Sequence, residues 1–263
     1  IFTPQGSDLL VLPDRNIIVR KFLTKKLPEI AYLIADSELL LNKVLEVAPK
    51  INKNRLALIQ NGIPFDEIEK IVFNEKKHHK REIDICWVRG FSRNYQFDYF
   101  VKILKSLSKL SNFEINISII AAYGSPRIPR SIFAYKNLNI SLLPRLSKDT
   151  FLKCLYNSKL VFSIPKSDSS PISVYESIAL GCKLFVTQLS CFDWLPSRMK
   201  SRFIFSTSNF ETDAKTILSN LENFKELKNL NKTKEKFPSF YKSLNYSNIA
   251  EEYLKIFKKI KWN

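Results

Sequence analysis

Several features that define common protein classes are missing from this sequence of 263 residues. No uninterrupted apolar run approaches the roughly 20 residues of a membrane-spanning helix, so we predict no such span. The only histidines, His78 and His79, adjoin each other and lack ligand spacing to a cysteine pair, which argues against a zinc site. The cysteines show no paired spacing, and we expect reduced thiols and a cytoplasmic protein. They are Cys86, Cys154, Cys182 and Cys191.

Acidic residues are also scarce, because 25 Asp and Glu stand against 42 Lys and Arg and leave a net charge of +17. This excess predicts anionic partners, namely nucleic acid, nucleotide phosphates or an anionic membrane surface. A solvated, lysine-rich surface explains the charge equally well, because the basic residues are spread along the chain apart from residues 74–82. The sequence contains no RNA-binding strand pattern, helix-turn-helix or zinc module, and we therefore expect no nucleic-acid partner.

Glycine occupies only 5 positions and hydrophobic residues make up 45% of the chain, as is typical of a well-packed globular protein. Short apolar runs alternate with segments of three-and-four apolar spacing, which predicts an α/β protein with a parallel sheet. Strands are predicted at residues 32–35, 55–59, 82–88, 113–121, 139–143, 159–165 and 183–187. Helices are predicted at residues 37–47, 97–110, 147–157 and 172–180.

The chain divides at a charged stretch, residues 68–82, whose apolar period is lost after Phe73 and which therefore indicates a linker. We expect a partial N-terminal domain at residues 1–74 and a complete α/β domain at residues 75–240. The final segment, residues 241–263, predicts a helix whose apolar face docks on another part of the molecule. That face consists of Ile249, Tyr253, Ile256, Phe257 and Ile260.

The stretch KSDSSPISVYESIALGCKLF follows a predicted strand and holds two acidic residues, Asp168 and Glu176. Pro171 suits the first position of a helix, since its missing N–H would have no partner there. A helix start at the carboxyl end of a parallel strand forms an anion site, so we expect a phosphate-bearing ligand near Ser170–Ser173. The carboxylates would accept hydrogen bonds from ligand hydroxyls. An equally open interpretation is structural: Asp168 caps the helix and Glu176 faces solvent.

This stretch resembles the nucleotide-sugar signature of glycosyltransferase family 4, in which two acidic residues flank such a turn before a helix. Other family motifs are matched in order by TPQGSD, IADSELLLNKV, RLALIQNGIPFDEI and CWVRGFSRNYQFDYFVKIL. The resemblance covers almost the whole chain. It implies an α/β protein of GT-B type, in which two Rossmann-like domains with parallel sheets face each other across a cleft. The N-terminal domain would be incomplete, and the last helix would cross back to it.

The resemblance also implies roles for individual residues. Glu176 would bind the ribose of the nucleotide, and Asp168 would contact hydroxyls of the transferred sugar. Arg89 would bind the diphosphate, together with Arg93 in place of the family's usual lysine, whose position is occupied by Asn94. Arg89, Asp168 and Glu176 would thus form the catalytic set. The remaining site residues are Ser170, Pro171, Ile172 and Ser173 at the diphosphate, Gly6, Ser7 and Asp8 on the acceptor side, and loop 121–127 near the base.

The implied activity is transfer of a sugar from a nucleotide-diphosphate sugar to a glycan or lipid-linked acceptor, with retention of configuration and no metal or other cofactor. The implied setting is surface polysaccharide synthesis, in the cytoplasm or at the inner face of an anionic membrane. An epimerase of the same fold would need a histidine in the cleft. Asp168 in place of Glu and Asn94 in place of Lys favour a further alternative, a catalytically inactive partner or scaffold protein. A segment that usually precedes the Gly-Ser-Asp turn is absent, and we expect a fragment or a shortened form.

Overall fold

The computed structural model describes residues 1–4, 6–74, 80–121, 128–225 and 237–260, without the side chain of Ser7. Two predictions fall outside these residues: the histidine pair in the linker, and nearly all of the loop expected near the nucleotide base. Within the described residues all four cysteines are free thiols. No described helix is both long and apolar enough to cross a membrane.

The described strands form two parallel sheets. A small sheet pairs β1 with β2, and a six-stranded sheet has the order β5-β4-β3-β6-β7-β8. All seven predicted strands are present. β8 was not predicted. The strands are β1 (Leu33–Ala35), β2 (Leu56–Leu58), β3 (Ile83–Trp87), β4 (Ile115–Ile120), β5 (Leu138–Leu143), β6 (Ser158–Ser163), β7 (Lys183–Val186) and β8 (Phe203–Phe205).

Five of the described α-helices begin after a Ser or Asn whose side-chain oxygen accepts backbone N–H groups of the first turn. The α-helices are α1 (Ser7–Leu10), α2 (Leu12–Arg15), α3 (Ile17–Lys26), α4 (Glu38–Val47), α5 (Phe65–Asn74), α6 (Phe97–Leu110), α7 (Lys148–Tyr156), α8 (Ile172–Ala179), α9 (Ser197–Lys200), α10 (Phe210–Glu222), α11 (Pro238–Leu244) and α12 (Tyr246–Lys259). Short 3₁₀ helices span Leu27–Glu29, Lys53–Arg55, Arg93–Tyr95, Arg130–Ala134 and Ser190–Phe192.

The strand order of the large sheet determines where a ligand can bind. In chain order its strands run outward from β3 to β5, and the chain then returns to add β6, β7 and β8 on the other side of β3. The order therefore reverses between β3 and β6. In doubly wound sheets a crevice opens at this switch point, outside the carboxyl ends of the strands.

Two apolar cores cover the two faces of the large sheet. On one face, Trp87, Phe100, Phe162 and Phe185 form a row of aromatic rings whose consecutive centroids lie 4.7–4.9 Å apart, beneath α6 and α10. On the other face, the core includes residues of α5, α7, α8 and α11. Burial of each such aromatic or aliphatic side chain contributes about 1.5–3 kcal/mol. Residues of β3 and β6, the strands at the switch point, belong to both cores.

Two segments join the small sheet to the part of the chain that holds the large sheet: the segment between β2 and α5, and the segment between α11 and α12. The backbone N–H of Ile63 donates to Leu244 O at 2.9 Å, just before α12 begins. Gly62 is required here, because a Cβ on it would lie 2.3 Å from Cδ1 of Tyr246. α5 packs on α7 and α8, so contacts with the large core begin before residue 74. The division at residues 74 and 75 stays a prediction.

The last helix, α12, lies on the small sheet. Ile249, Tyr253, Ile256 and Ile260 pack with a cluster that includes Ile34 of β1. Phe257, which the sequence placed on the same apolar face, is instead 42% exposed. Its position, one residue beyond Ile256, turns it away from the sheet because consecutive helical residues point about 100° apart. The helix thereby covers one face of the small sheet.

Candidate active site

The acidic stretch lies at the switch point, directly after β6. Its turn leads into α8, which begins at Ile172, and Pro171 is the N-cap residue rather than the first helical residue as predicted. The N–H of Val174 donates to Pro171 O at 2.9 Å, so the intrahelical bonds start one residue later than expected. Ser170 and Pro171 are buried, whereas Ile172 and Ser173 are partly exposed. Ile172 and Ser173 are therefore accessible to solvent, and the first amides of a helix have no partner within the helix.

Arg89 follows β3 on the opposite side of the switch point and reaches the turn. Its Nη2 forms an ion pair with Asp168, and its Nη1 lies 3.2 Å from Ser173 Oγ. The guanidinium also lies over the ring of Tyr95, with Cζ 4.7 Å from the centroid. The side chains of Arg89 and Asp168 are only 12% and 16% exposed. The structure thus joins two predicted site residues, 79 positions apart in sequence, into one fixed pair.

Asn94 fixes the segment that carries Asp168. Its Nδ2 donates to Ser167 O at 2.8 Å, and its Oδ1 accepts from the N–H of Ser167 at 3.1 Å. Its own carbonyl accepts from the N–H of Lys166 at 2.7 Å. Gln96 adds a hydrogen bond from Nε2 to Ile164 O at 2.7 Å. The residue at the position of the family's lysine therefore has a structural task, which is to hold the turn.

Glu176 lies one turn into α8 and is almost completely buried, with 1% of its side chain exposed. Its Oε1 forms an ion pair with Lys148, the first residue of α7, whose side chain is 48% exposed. Burial raises the pKa of Glu176 above its ordinary value, and the Lys148 ammonium counteracts part of this effect. The solvent-facing role that the structural interpretation gave Glu176 is therefore wrong.

The small domain, which is the part of the chain that forms and surrounds the small sheet, reaches the same turn from across the crevice. Asp36, directly after β1, accepts a hydrogen bond from Ser169 Oγ at 3.0 Å. Gly6, in the predicted Gly-Ser-Asp turn, has φ +70 and lies so close to Ser169 that an added Cβ would be 3.0 Å from its Oγ. Ser7 begins α1, and Asp8 is exposed. Of the predicted acceptor-side residues, the structure thus places Gly6 directly at the signature.

Arg93 is the predicted phosphate-binding residue that the structure does not bring to this cluster. It is exposed and lines a separate surface hollow of about 690 Å³ together with Lys102 and Lys166. Neither Arg89 nor Asp168 lines that hollow. The argument for a diphosphate site therefore rests on Arg89 and the first turn of α8.

Two residues at the site were not predicted from the sequence. Lys148 and Asp36 lie 28 and 133 positions from their partners, Glu176 and Ser169. The sequence predicted a helix start at Ser147, but nothing in the sequence beside it indicated that Lys148 pairs with Glu176. Asp36 follows a predicted strand, and its position at the carboxyl end of that strand was the available signal.

The sequence matches no family model and no curated protein. Solved structures do match. S. aureus TarM, whose structure contains UDP, has a TM-score of 0.67 at 16% identity over 97% of this chain. A trehalose-6-phosphate synthase gives 0.68 at 13% identity over 99%, and Anabaena HepE with UDP-glucose gives 0.67 at 9% over 98%. The chain has the GT-B fold. The expected fold class is confirmed, whereas membership of family 4 stays a prediction.

The matched structures are longer than this chain, which spans 50% of TarM, 67% of the trehalose-6-phosphate synthase and 72% of HepE. Because the identities are below one fifth, these matches establish the shared fold alone. The chemistry has to be argued from the site itself. That site contains a cation paired with a carboxylate, a helix start and a second, buried carboxylate. All of them lie at the switch point where ligands bind in folds of this kind.

Proposed function

We propose that this chain binds a nucleotide-diphosphate sugar above β3 and β6 and transfers the sugar to a hydroxyl of a glycan or lipid-linked acceptor. The observation that carries the proposal is the convergence of Arg89, Asp168 and the first turn of α8 at the switch point. Uridine nucleotides are the first donors to test, because the TarM and HepE structures contain UDP and UDP-glucose.

The contacts of Arg89 suggest how the donor would bind. Nη1 lies 3.2 Å from Ser173 Oγ, and a phosphate oxygen of the donor would replace this hydroxyl and also accept from the free amides of α8. Asp168, held at Nη2, would direct its other oxygen to hydroxyls of the sugar. Glu176, one turn along α8, suits the hydroxyls of the ribose.

The same groups account for catalysis. Bond breaking between the sugar and the diphosphate places negative charge on the leaving oxygen, which Arg89 and the helix-start amides stabilise. Preorganised donors of this kind are worth about 3–4 kcal/mol each in other enzymes. The acceptor hydroxyl attacks from the face that the diphosphate leaves and passes its proton to the departing phosphate oxygen, so the configuration is retained. Retention is also the mode of transfer studied with the trehalose-6-phosphate synthase of similar fold.

The predictions on metal, pathway and membrane contact belong to this proposal. We propose that no metal is required, which a donor titration with and without chelator tests. Surface polysaccharide synthesis and contact with an anionic membrane remain proposals supported by the net charge of +17. Flotation with vesicles rich in phosphatidylserine tests the second, and binding no stronger than to neutral vesicles would contradict it.

Calorimetric titration tests the proposal directly. UDP, GDP, CMP and their common sugar conjugates are titrated into the wild-type chain and into Glu176→Ala. We expect one nucleotide to bind and the variant to lose at least about tenfold in affinity, because a buried hydrogen-bonded carboxylate is removed. Failure of every nucleotide to bind the wild-type chain would contradict donor binding.

A second candidate function, an inactive partner of another transferase, is supported by Asn94. Its side chain holds the turn at Ser167 and leaves the diphosphate without the second cation that the family resemblance implies. A chain that binds the nucleotide sugar but neither hydrolyses nor transfers it, with any glycan acceptor offered, would favour this function.

A further inference from the structure

Asp36 makes a direct contact between the small domain and the signature turn. Its carboxylate accepts from Ser169 Oγ and from Asn61 Nδ2, both at 3.0 Å, and from Ser37 Oγ at 3.3 Å. Asn61 and Ser37 belong to the small domain, as Asp36 does, whereas Ser169 belongs to the turn between β6 and α8. The contact therefore spans the crevice and ends one residue from Asp168.

A second feature on the small domain fits the same approach. Gly6 lies against Ser169, and a Cβ on Gly6 would come within 3.0 Å of the Ser169 hydroxyl. Gly6 also has φ +70, which glycine adopts at little cost. A glycine and a carboxylate from two separate loops of the small domain thus meet the same hydroxyl.

The chemistry of the contact suits a positioning role. The hydroxyl of Ser169 donates to a carboxylate, and hydrogen bonds to charged groups are stronger than those between neutral groups. Burial raises the pKa of Asp36, while the donors Ser169, Ser37 and Asn61 favour its ionised form. Asn94 holds the turn from within the large domain, and Asp36 holds it from the opposite side.

We propose that Asp36 is a positioning residue that sets the place of Asp168 relative to the donor sugar by holding Ser169 across the crevice. This inference rests on the proposed function, because it assigns Asp168 to the sugar hydroxyls. It predicts that the Asp36–Ser169 contact affects binding of the sugar portion and leaves binding of the nucleotide portion nearly unchanged. Diphosphate and ribose contacts come from Arg89 and Glu176, which Asp36 does not touch.

The test compares Asp36→Ala, Ser169→Ala and the double variant with the wild-type chain. Calorimetry measures the affinities for UDP, UDP-glucose and UDP-N-acetylglucosamine. We expect each single variant to lose about tenfold in affinity for the preferred UDP-sugar and less than about twofold for UDP. Asp14→Ala is the matched control. Within the described residues this carboxylate forms its ion pairs with Arg20 and Lys43 of the same small domain, so the variant should change neither affinity.

A ligand-free measurement separates this proposal from the proposed function. Urea unfolding of the same four proteins gives a double-mutant cycle, and we expect the two single effects on the unfolding constant to be non-additive by about fivefold. Additive effects would show that the contact does not form and would overturn the proposal. Equal losses for UDP and UDP-sugar, or none for either, would reduce Asp36 to a structural residue. A wild-type chain that binds no nucleotide would contradict the proposed function and the positioning role, whereas the unfolding cycle would still decide whether the contact exists.

Discussion

Two ion pairs involve the acidic residues of the signature, Asp168 and Glu176, and their surroundings differ. In the pair of Arg89 and Asp168 both side chains are mostly buried, at 12% and 16% exposure. In the pair of Lys148 and Glu176 the acid is buried at 1%, and the base is 48% exposed. The arginine also contacts Ser173 and the ring of Tyr95, whereas the lysine approaches the ring of Phe151 at 5.8 Å.

The difference indicates two tasks within one site. A guanidinium held by several contacts loses little further freedom when it binds phosphate, and its planar fork can serve two acceptors at once. A lysine on a flexible, solvent-exposed stem can move aside at small cost when a ribose approaches the carboxylate that it covers. We therefore expect the first pair to be fixed during donor binding and the second to open.

The largest expected effect comes from the fixed pair. Arg89→Ala removes the phosphate contact and leaves Asp168 without its guanidinium, so we expect affinity for the UDP-sugar to fall about 100-fold or more. Because the pair is mostly buried, the free energy of unfolding should also fall, by about 3 kcal/mol. Calorimetry and urea unfolding measure the two effects. Arg93→Ala is the matched control, and a loss as large as that of Arg89→Ala would show that the site lies at the other hollow.

An intermediate effect is expected at the buried acid of the second pair. Glu176→Gln keeps the shape of the side chain and removes its charge, so affinity for UDP should fall about tenfold. Burial raises the pKa of Glu176, which means that ionisation of this residue opposes folding. The variant should therefore match or exceed the wild-type chain in thermal stability at neutral pH.

The pH dependence of that comparison follows from the sign of the shift. Glu176 binds its proton more tightly in the folded state, so its cost to stability is absent below the ordinary pKa of 4.5 and complete above the raised value. The midpoint of thermal unfolding of Glu176→Gln relative to wild type should rise as the pH increases above 4.5. A difference that shrinks over this range would contradict the assigned direction.

The smallest effect is expected at Lys148. Because its side chain is 48% exposed, Lys148→Met should lower the free energy of unfolding by less than about 1 kcal/mol. Affinity for UDP should change by less than about threefold, since the lysine must leave the carboxylate when the ribose binds. Lys153→Met, at an exposed pair with Asp149 on the same helix, is the control. A tenfold loss of UDP affinity in Lys148→Met, without such a loss in the control, would show that the second pair is as fixed as the first.

Much of the fold was accessible from the sequence because its signals are local. Alternation of apolar runs predicted β1 to β7, and three-and-four spacing predicted α6 with both of its ends. The helix start at the signature was displaced by one residue, because Pro171 is the N-cap residue although proline favours the first helical position. β8 was missed. The exposure of Phe257 was also missed, although its place directly after Ile256 in the helical repeat was a local signal.

The order of residue types along the chain was sufficient to indicate a parallel α/β architecture, a helix start at an acidic signature and the GT-B fold that the matched structures share. Pairing across the crevice was not accessible in this way. Arg89 with Asp168, Lys148 with Glu176 and Asp36 with Ser169 are contacts between loops brought together by strand order. Their partners are distant in sequence, and their strength depends on burial. Only packing of the two sheets and α12 creates that burial, which is why the distinction between a fixed and a displaceable pair emerged from the folded molecule.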